Sequence, residues 1–253
     1  MKKIAIVTGA SSGIGKEFAE SLKHNIVLDE VWVIARTKKN LEKLNLCIPT
    51  KVIDMDLTDE KNFSKFETLL EEEKPNIKLL INASGFGKFE KTTKVSMEDN
   101  IGMIKLNCEA LTRMCLLCIP YMKKDSHIIN IASVAAYQPI PYINIYGATK
   151  SYVLNFSRAL NVELKKEGIH VMAVCPYWTK TAFFDRAVTE NKVVKKYIAM
   201  YNPKDIVKRA WKDLNKNKDV SKYGFIARGQ VFLCQLLPHK LVMNVWLKQQ
   251  KLN

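Results

Sequence analysis

The chain has 253 residues, of which 47% are hydrophobic and 26% charged. Those proportions exclude a disordered or low-complexity polypeptide and supply a sizeable core. The 40 Lys/Arg and 25 Asp/Glu leave a formal charge of +15, and residues 204–253 alone hold eleven basic and three acidic side chains. Such a balance points to a phosphorylated cofactor, an acidic substrate or a membrane surface, unless the lysines only solubilise exposed faces. No zinc-finger spacing or nucleic-acid module accompanies the charge, which argues against nucleic acid.

Apolar runs of strand length alternate with helical patterns along the chain. Residues 4–7 read as a first strand and 14–22 as the helix after it. Residues 31–35 are a second strand, followed by a charged helix over 39–46. A third strand at 51–53 precedes a helix over 60–73 that stops before Pro75. A fourth at 78–81 precedes a long helix over 97–118. A fifth at 127–131 leads to the helix that carries Tyr146 and runs to about Lys166, with Gly168 as its cap. Residues 169–174 are a sixth strand. Beyond Pro176 the pattern loosens into a loop and helices over 177–200, a helix over 204–214 and a short seventh strand near 220–225.

Strands apolar on both faces and alternating with helices predict an α/β protein built on one doubly wound, Rossmann-like parallel sheet of about seven strands. No linker or repeat interrupts it, so one domain is expected over 1–253, with a core to about 225 and a C-terminal helical extension over 226–253. In that extension Leu233, Leu236, Leu237, Leu241, Val245 and Trp246 form an apolar stripe broken at Pro238, beside Lys240, Lys248 and Lys251. The composition suits an interfacial helix and equally one that docks on a partner subunit. The six scattered cysteines, Cys115-x-x-Cys118 included, read as core packing, and no metal site is expected. No apolar run approaches the roughly 18 residues that span a bilayer, and the first strand leaves no room for a signal peptide. The cytoplasm is the expected compartment.

The chemistry lies in three places. Gly9-Ala10-Ser11-Ser12-Gly13-Ile14-Gly15 joins the first strand to its helix, where a backbone turn and a helix N-terminus together receive a pyrophosphate. The second strand ends in Ala35-Arg36 rather than in the carboxylate that would accept a bond from a ribose 2′-hydroxyl. An arginine there clamps a 2′-phosphate, which favours NADP. Tyr146 and Lys150, at i and i+4, share a helix face thirteen residues after Ser133. The ammonium is expected to lower the phenol from its ordinary pKa of about 10, so that it exchanges a proton with a substrate oxygen near neutral pH.

Thr8-Gly9-x-x-x-Gly13-x-Gly15, Asp56-Leu57, Asn82-Ala83-Ser84-Gly85, Asn107, Ser133 and Tyr146-x-x-x-Lys150 together resemble the short-chain dehydrogenase/reductase family over about residues 3–225. The resemblance implies a catalytic tetrad of Asn107, Ser133, Tyr146 and Lys150, with Asn107 ordering a water behind Lys150. It implies that Asp56 and Leu57 flank the adenine and that Asn82, Ala83 and Ser84 lie under the cofactor. Ser11, Ser12 and Ile14 belong to its phosphate turn, and Pro176, Thr179 and Thr181 to its nicotinamide segment. Two positions depart from the pattern. Ala83-Ser84 stands where Asn-Ala is usual, and Tyr177 follows Pro176 where glycine is usual.

The expected activity is NADP(H)-dependent interconversion of a ketone and a secondary alcohol. Candidate pocket residues are Phe86, Val134, Tyr137, Tyr142, Tyr177, Trp178, Phe183 and Phe184. They favour a bulky apolar carbonyl, with a hydroxysteroid or bile acid first and a 3-oxoacyl thioester second. Lys180 and Arg186 are candidates to meet an acidic tail. A non-catalytic NADPH sensor is the reading from another class, and the complete tetrad argues against it. The helices around 97–118 and 142–166 are where the family dimerises, so a homodimer or homotetramer is expected.

Overall fold

In the first strand Ile4 and Ile6 face one side and Ala5 and Val7 the other, and all four are fully buried. A strand buried on both faces needs a layer of helices above and below it. The computed structural model describes residues 1–252 and supplies both layers. Its strands are β1 Lys3–Thr8, β2 Glu30–Ala35, β3 Thr50–Asp54, β4 Asn76–Asn82, β5 Met122–Ile131, β6 Ile169–Val174 and β7 Val220–Ser221. They form one parallel sheet in the order β3-β2-β1-β4-β5-β6-β7.

The helices are α1 Gly13–Ser21, α2 Lys38–Leu41, α3 Glu60–Glu73, α4 Met97–Ile104 and α5 Leu111–Cys118. They continue with α6 Asn144–Glu163, α7 Phe183–Ala187, α8 Pro203–Leu214, α9 Phe225–Leu236 and α10 His239–Gln250. Phe66 and Leu70 of α3, Met114 and Cys118 of α5 and Val153 of α6 cover the Ile4 and Ile6 face. Phe18 of α1 and Ile206 and Trp211 of α8 cover the other. The chain winds outward from β1 to β3 and then returns to lay β4 on the opposite side of β1. Connections from β1 and β4 leave in opposite directions, which opens a crevice at their carboxyl ends.

Several expectations need correction. The helix over 39–46 is only the four-residue α2. Leu41 is its one buried residue, and two lysines with no acidic residue in the first turn oppose the helix dipole. The helix over 97–118 forms with those bounds but is wound as a π-helix over Lys105–Ala110, between α4 and α5. Only α7 forms within 177–200, and the seventh strand is two residues long because Phe225 already begins α9. Cys115 and Cys118 are fully buried, and burial pushes the Cys115 thiol up to about 12. Among the described residues no helix is long and apolar enough to cross a membrane.

At the opposite end of the sheet from the crevice, His127 and His170 are partners on β5 and β6, with ring centroids 5.8 Å apart. Burial, then the neighbouring His170 and Lys78, push His127 down to about 4 against the pull of Asp125. The unfolded chain therefore takes up this proton first as pH falls. Stability is full above pH 6.5 and declines by on the order of 3 kcal/mol as pH drops from 6.5 to 4. Urea unfolding across that range checks this, and His127→Phe is expected to reduce the slope, with His170, which burial also pushes down, supplying part of what remains.

Candidate active site

The crevice is a cavity of about 1080 Å³ that begins at the glycine turn. Gly9 holds φ at +66°, and a Cβ there would stand 2.8 Å from the Ser84 nitrogen. At Gly15 a Cβ would run into the Gly9 carbonyl. Side chains at these positions would therefore break the close packing of the turn on its own backbone and on Ala83–Ser84, and the turn ends at the N-terminus of α1, where backbone donors favour an anion. Thr8 ties the two crevice strands together. Its hydroxyl donates to the Ile81 carbonyl at 3.4 Å and accepts from the Ala83 and Ser84 N–H groups at 3.1 and 3.3 Å.

Ser11, Ser12, Gly13, Ile14, Arg36, Asp56, Leu57, Ala83, Ser84, Pro176, Thr179 and Thr181 all line the cavity with Gly9 and Gly15. Burial opposes the charge on Asp56, but two bonds from Thr58 (hydroxyl 2.7 Å, N–H 2.8 Å) hold its carboxyl below the ordinary value, helped by Arg36 and Arg186. Asn82 does not face the cavity. Its amide donates to Asn130 at 2.9 Å, and Asn130 donates to Ser157 of α6 at 3.0 Å. This buried ladder runs from β4 through β5 to the helix that carries Tyr146 and fixes that helix against the sheet.

Ser133, Tyr146 and Lys150 stand together on the cavity wall. Lys150 Nζ donates to the Ile131 carbonyl at 2.7 Å and lies 5.7 Å from the Tyr146 ring centroid. The expected lowering of the phenol is not found. Burial pushes Tyr146 up to about 12, with Ser133 beside it pulling the other way. The same burial pushes Lys150 down to about 8. Withdrawal from water penalises the phenolate and the ammonium alike.

Asn107 sits in the π turn behind this wall. Its amide nitrogen donates to the Phe86 carbonyl at 2.9 Å and to Thr149 of α6 at 3.0 Å, and its oxygen accepts from the Phe86 N–H at 3.0 Å. A Cβ on Gly85 would meet that oxygen at 3.0 Å and Lys150 Nζ at 3.5 Å, so the two groups flank one point.

Beyond Tyr146 the cavity turns aromatic. Phe86, Val134, Tyr177, Trp178, Phe183 and Phe184 line it as the sequence suggests. Tyr137 and Tyr142 do not. Tyr137 closes a short turn and packs into the core beside Cys175, and Tyr142 lies on the loop before α6. Arg186 lines the cavity with its guanidinium carbon 3.4 Å over the Phe86 ring and its Nη2 3.5 Å from Asp99 Oδ1, whereas Lys180 lies outside.

The family model described as short chain dehydrogenase matches residues 3–192. The chain belongs to that family. It is 31% identical over 232 residues to the human very-long-chain 3-oxoacyl-CoA reductase, covering 87% of this chain and 70% of that protein. A short-chain dehydrogenase from Sphingobium yanoikuyae, solved with NADPH, shares 28% identity at a TM-score of 0.78 over 91% of this chain and 92% of that one. The bulky-bulky ketone specific alcohol dehydrogenase from Comamonas testosteroni shares 26% identity at a TM-score of 0.72 over 92% of each.

Two residues of this dehydrogenase's site escape the sequence reading. Phe89 is almost fully buried, with its ring centroid 6.5 Å from Tyr146, 5.8 Å from Trp178 and 6.0 Å from Phe183, so it organises the aromatic wall. Gly87 lies beneath Tyr146, where a Cβ would come 2.8 Å from Tyr146 Cδ2 and 3.0 Å from Phe183 Cζ. The available signal was a glycine two positions beyond Gly85 with no turn to make. Gly87→Ala is expected to shift the tyrosine ring and lower kcat about a hundredfold while leaving cofactor affinity unchanged. Steady-state kinetics beside a fluorescence titration of the cofactor checks it.

Proposed function

We propose that this dehydrogenase uses NADPH to reduce a bulky apolar ketone to the secondary alcohol and runs the reverse oxidation with NADP. The observation that carries the reading is the Phe89-centred aromatic wall around Tyr146, continuous with a cradle that fits a dinucleotide. When bound, the reduced nicotinamide supplies a hydride to the carbonyl carbon. Tyr146 gives its proton to the carbonyl oxygen as charge develops there. Tyr146 is protonated throughout the neutral range and so has a proton to give in the reducing direction. The Ser133 hydroxyl, also on the cavity wall, holds the same oxygen by a hydrogen bond. Lys150 binds the nicotinamide ribose from its seat on Ile131. Asn107 is a positioning residue that keeps the Phe86 turn and α6 in register around that seat.

Arg36 supports NADP over NAD. It stands exposed at the end of β2 and lines the cavity where a 2′-phosphate would lie, with Lys38 and Lys39 just beyond. Hydroxysteroids and bile acids fit the apolar wall. A long-chain 3-oxoacyl thioester is the second reading, favoured by the likeness to the human 3-oxoacyl-CoA reductase. Exposed Ile101 and Ile104 on α4 and Leu116 on α5 support self-association through that side of the molecule.

Turnover of a keto-steroid and of a 3-oxoacyl-CoA with each nicotinamide cofactor tests the reading. Tyr146→Phe is expected to lower kcat about a thousandfold on whichever substrate is reduced, and undiminished reduction would remove Tyr146 from the chemistry. Arg36→Glu is expected to weaken NADPH about tenfold or more with NADH little changed, as read by fluorescence titration.

A further inference from the structure

At its substrate end the cavity is lined by α9 and α10, which meet at Pro238. Helical spacing sorts α9 into three stripes. Ala227, Val231 and Cys234 are buried. Ile226, Gln230 and Leu233, with Leu237 just past the helix end, line the cavity. Phe225, Phe232 and Leu236 form the third stripe and are 90%, 61% and 65% exposed. Leu241 and Val245 continue the exposed surface on α10, and Val245 also lines the cavity. Trp246, by contrast, turns inward and donates to the Pro141 carbonyl at 3.0 Å. An apolar face of this kind marks an interaction surface.

Charge identifies the occupant. After Asp219 the chain carries Lys222, Arg228, Lys240, Lys248 and Lys251 and no acidic side chain. A twofold contact between copies would set this basic segment against itself, since the same patch then lies on both sides. An anionic lipid surface instead pairs with the cations and takes up the phenylalanine and leucine side chains.

We propose that the α9–α10 face docks on a bilayer bearing anionic headgroups, which sets the two helices that wall the substrate end of the cavity against the lipid so that an apolar substrate enters without crossing water. The substrate clause rests on the function proposed above, whereas the docking stands without it.

The full chain is sedimented with phosphatidylcholine vesicles and with vesicles that also contain phosphatidylglycerol, at low and high salt. Binding is expected to the anionic vesicles and to weaken as salt screens the lysines. Phe232→Ser combined with Leu236→Ser is expected to reduce it about tenfold or more. Neither residue lines the cavity, so turnover of a water-soluble ketone stays at the wild-type level. If that variant misfolds, Lys240→Gln with Lys248→Gln tests the same face through a weaker salt dependence. No binding to anionic vesicles at low salt overturns the proposal. So does a serine variant that breaks up a dimer but binds vesicles like the wild type, which makes the face a contact between copies. Tyr146→Phe is expected to bind vesicles normally. Vesicle binding by a wild-type protein that reduces no ketone would leave the docking intact and remove the substrate reading.

Discussion

A lysine held out of water at the end of a parallel sheet dictates much of what surrounds it. Lys150 keeps its place because the Ile131 carbonyl, at the last residue of β5, accepts from it at 2.7 Å. Its helix must then approach the sheet closely. Thr149 and Ser157 on α6 are accordingly tied to Asn107 and Asn130 by bonds of 3.0 Å each. Asn107 reaches Thr149 from a π turn, a local widening that interrupts an otherwise α-helical run. Gly85 leaves room for the ammonium and the Asn107 oxygen to face one another. The Ile131 carbonyl offsets part of the cost of burying the ammonium, and the other bonds hold its helix in place.

The same dryness sets the character of the site. Tyr146 remains a protonated donor because burial opposes its ionisation more than Ser133 favours it. Around it Phe89, Trp178, Phe183 and Phe184 leave little for a polar substrate to bond. The polar half of the cavity is the other end, where backbone donors of the glycine turn, Arg36 and Asp56 gather. A molecule spanning both ends is therefore charged at one and apolar at the other. Reversal of strand order between β1 and β4 makes the two ends continuous.

The glycine turn, the strand order implied by alternating elements and the Tyr146–Lys150 face were legible because each depends on residues close in sequence. A turn that a Cβ would fill, a strand buried on both sides and an i,i+4 pair are local properties. Asn82 read as a cofactor residue from its motif, yet its side chain points to Asn130, forty-eight positions away. Tyr137 and Tyr142 read as pocket residues by proximity to the site, and backbone direction alone turned them away. The pattern over 97–118 did not reveal its π turn, whose Asn107 finds its partners in Phe86 and Thr149 on other elements.

The sequence by itself determined a doubly wound α/β sheet, the place of its glycine turn and the pairing of Tyr146 with Lys150 on one helix face. Tertiary structure decided the protonation balance of that pair, since desolvation depends on everything packed around them rather than on their spacing. It also decided which face of the last two helices is left bare. Trp246 and Leu236 belong to the same apolar pattern, and only the packed core separates the one that finds a partner inside from the one that does not.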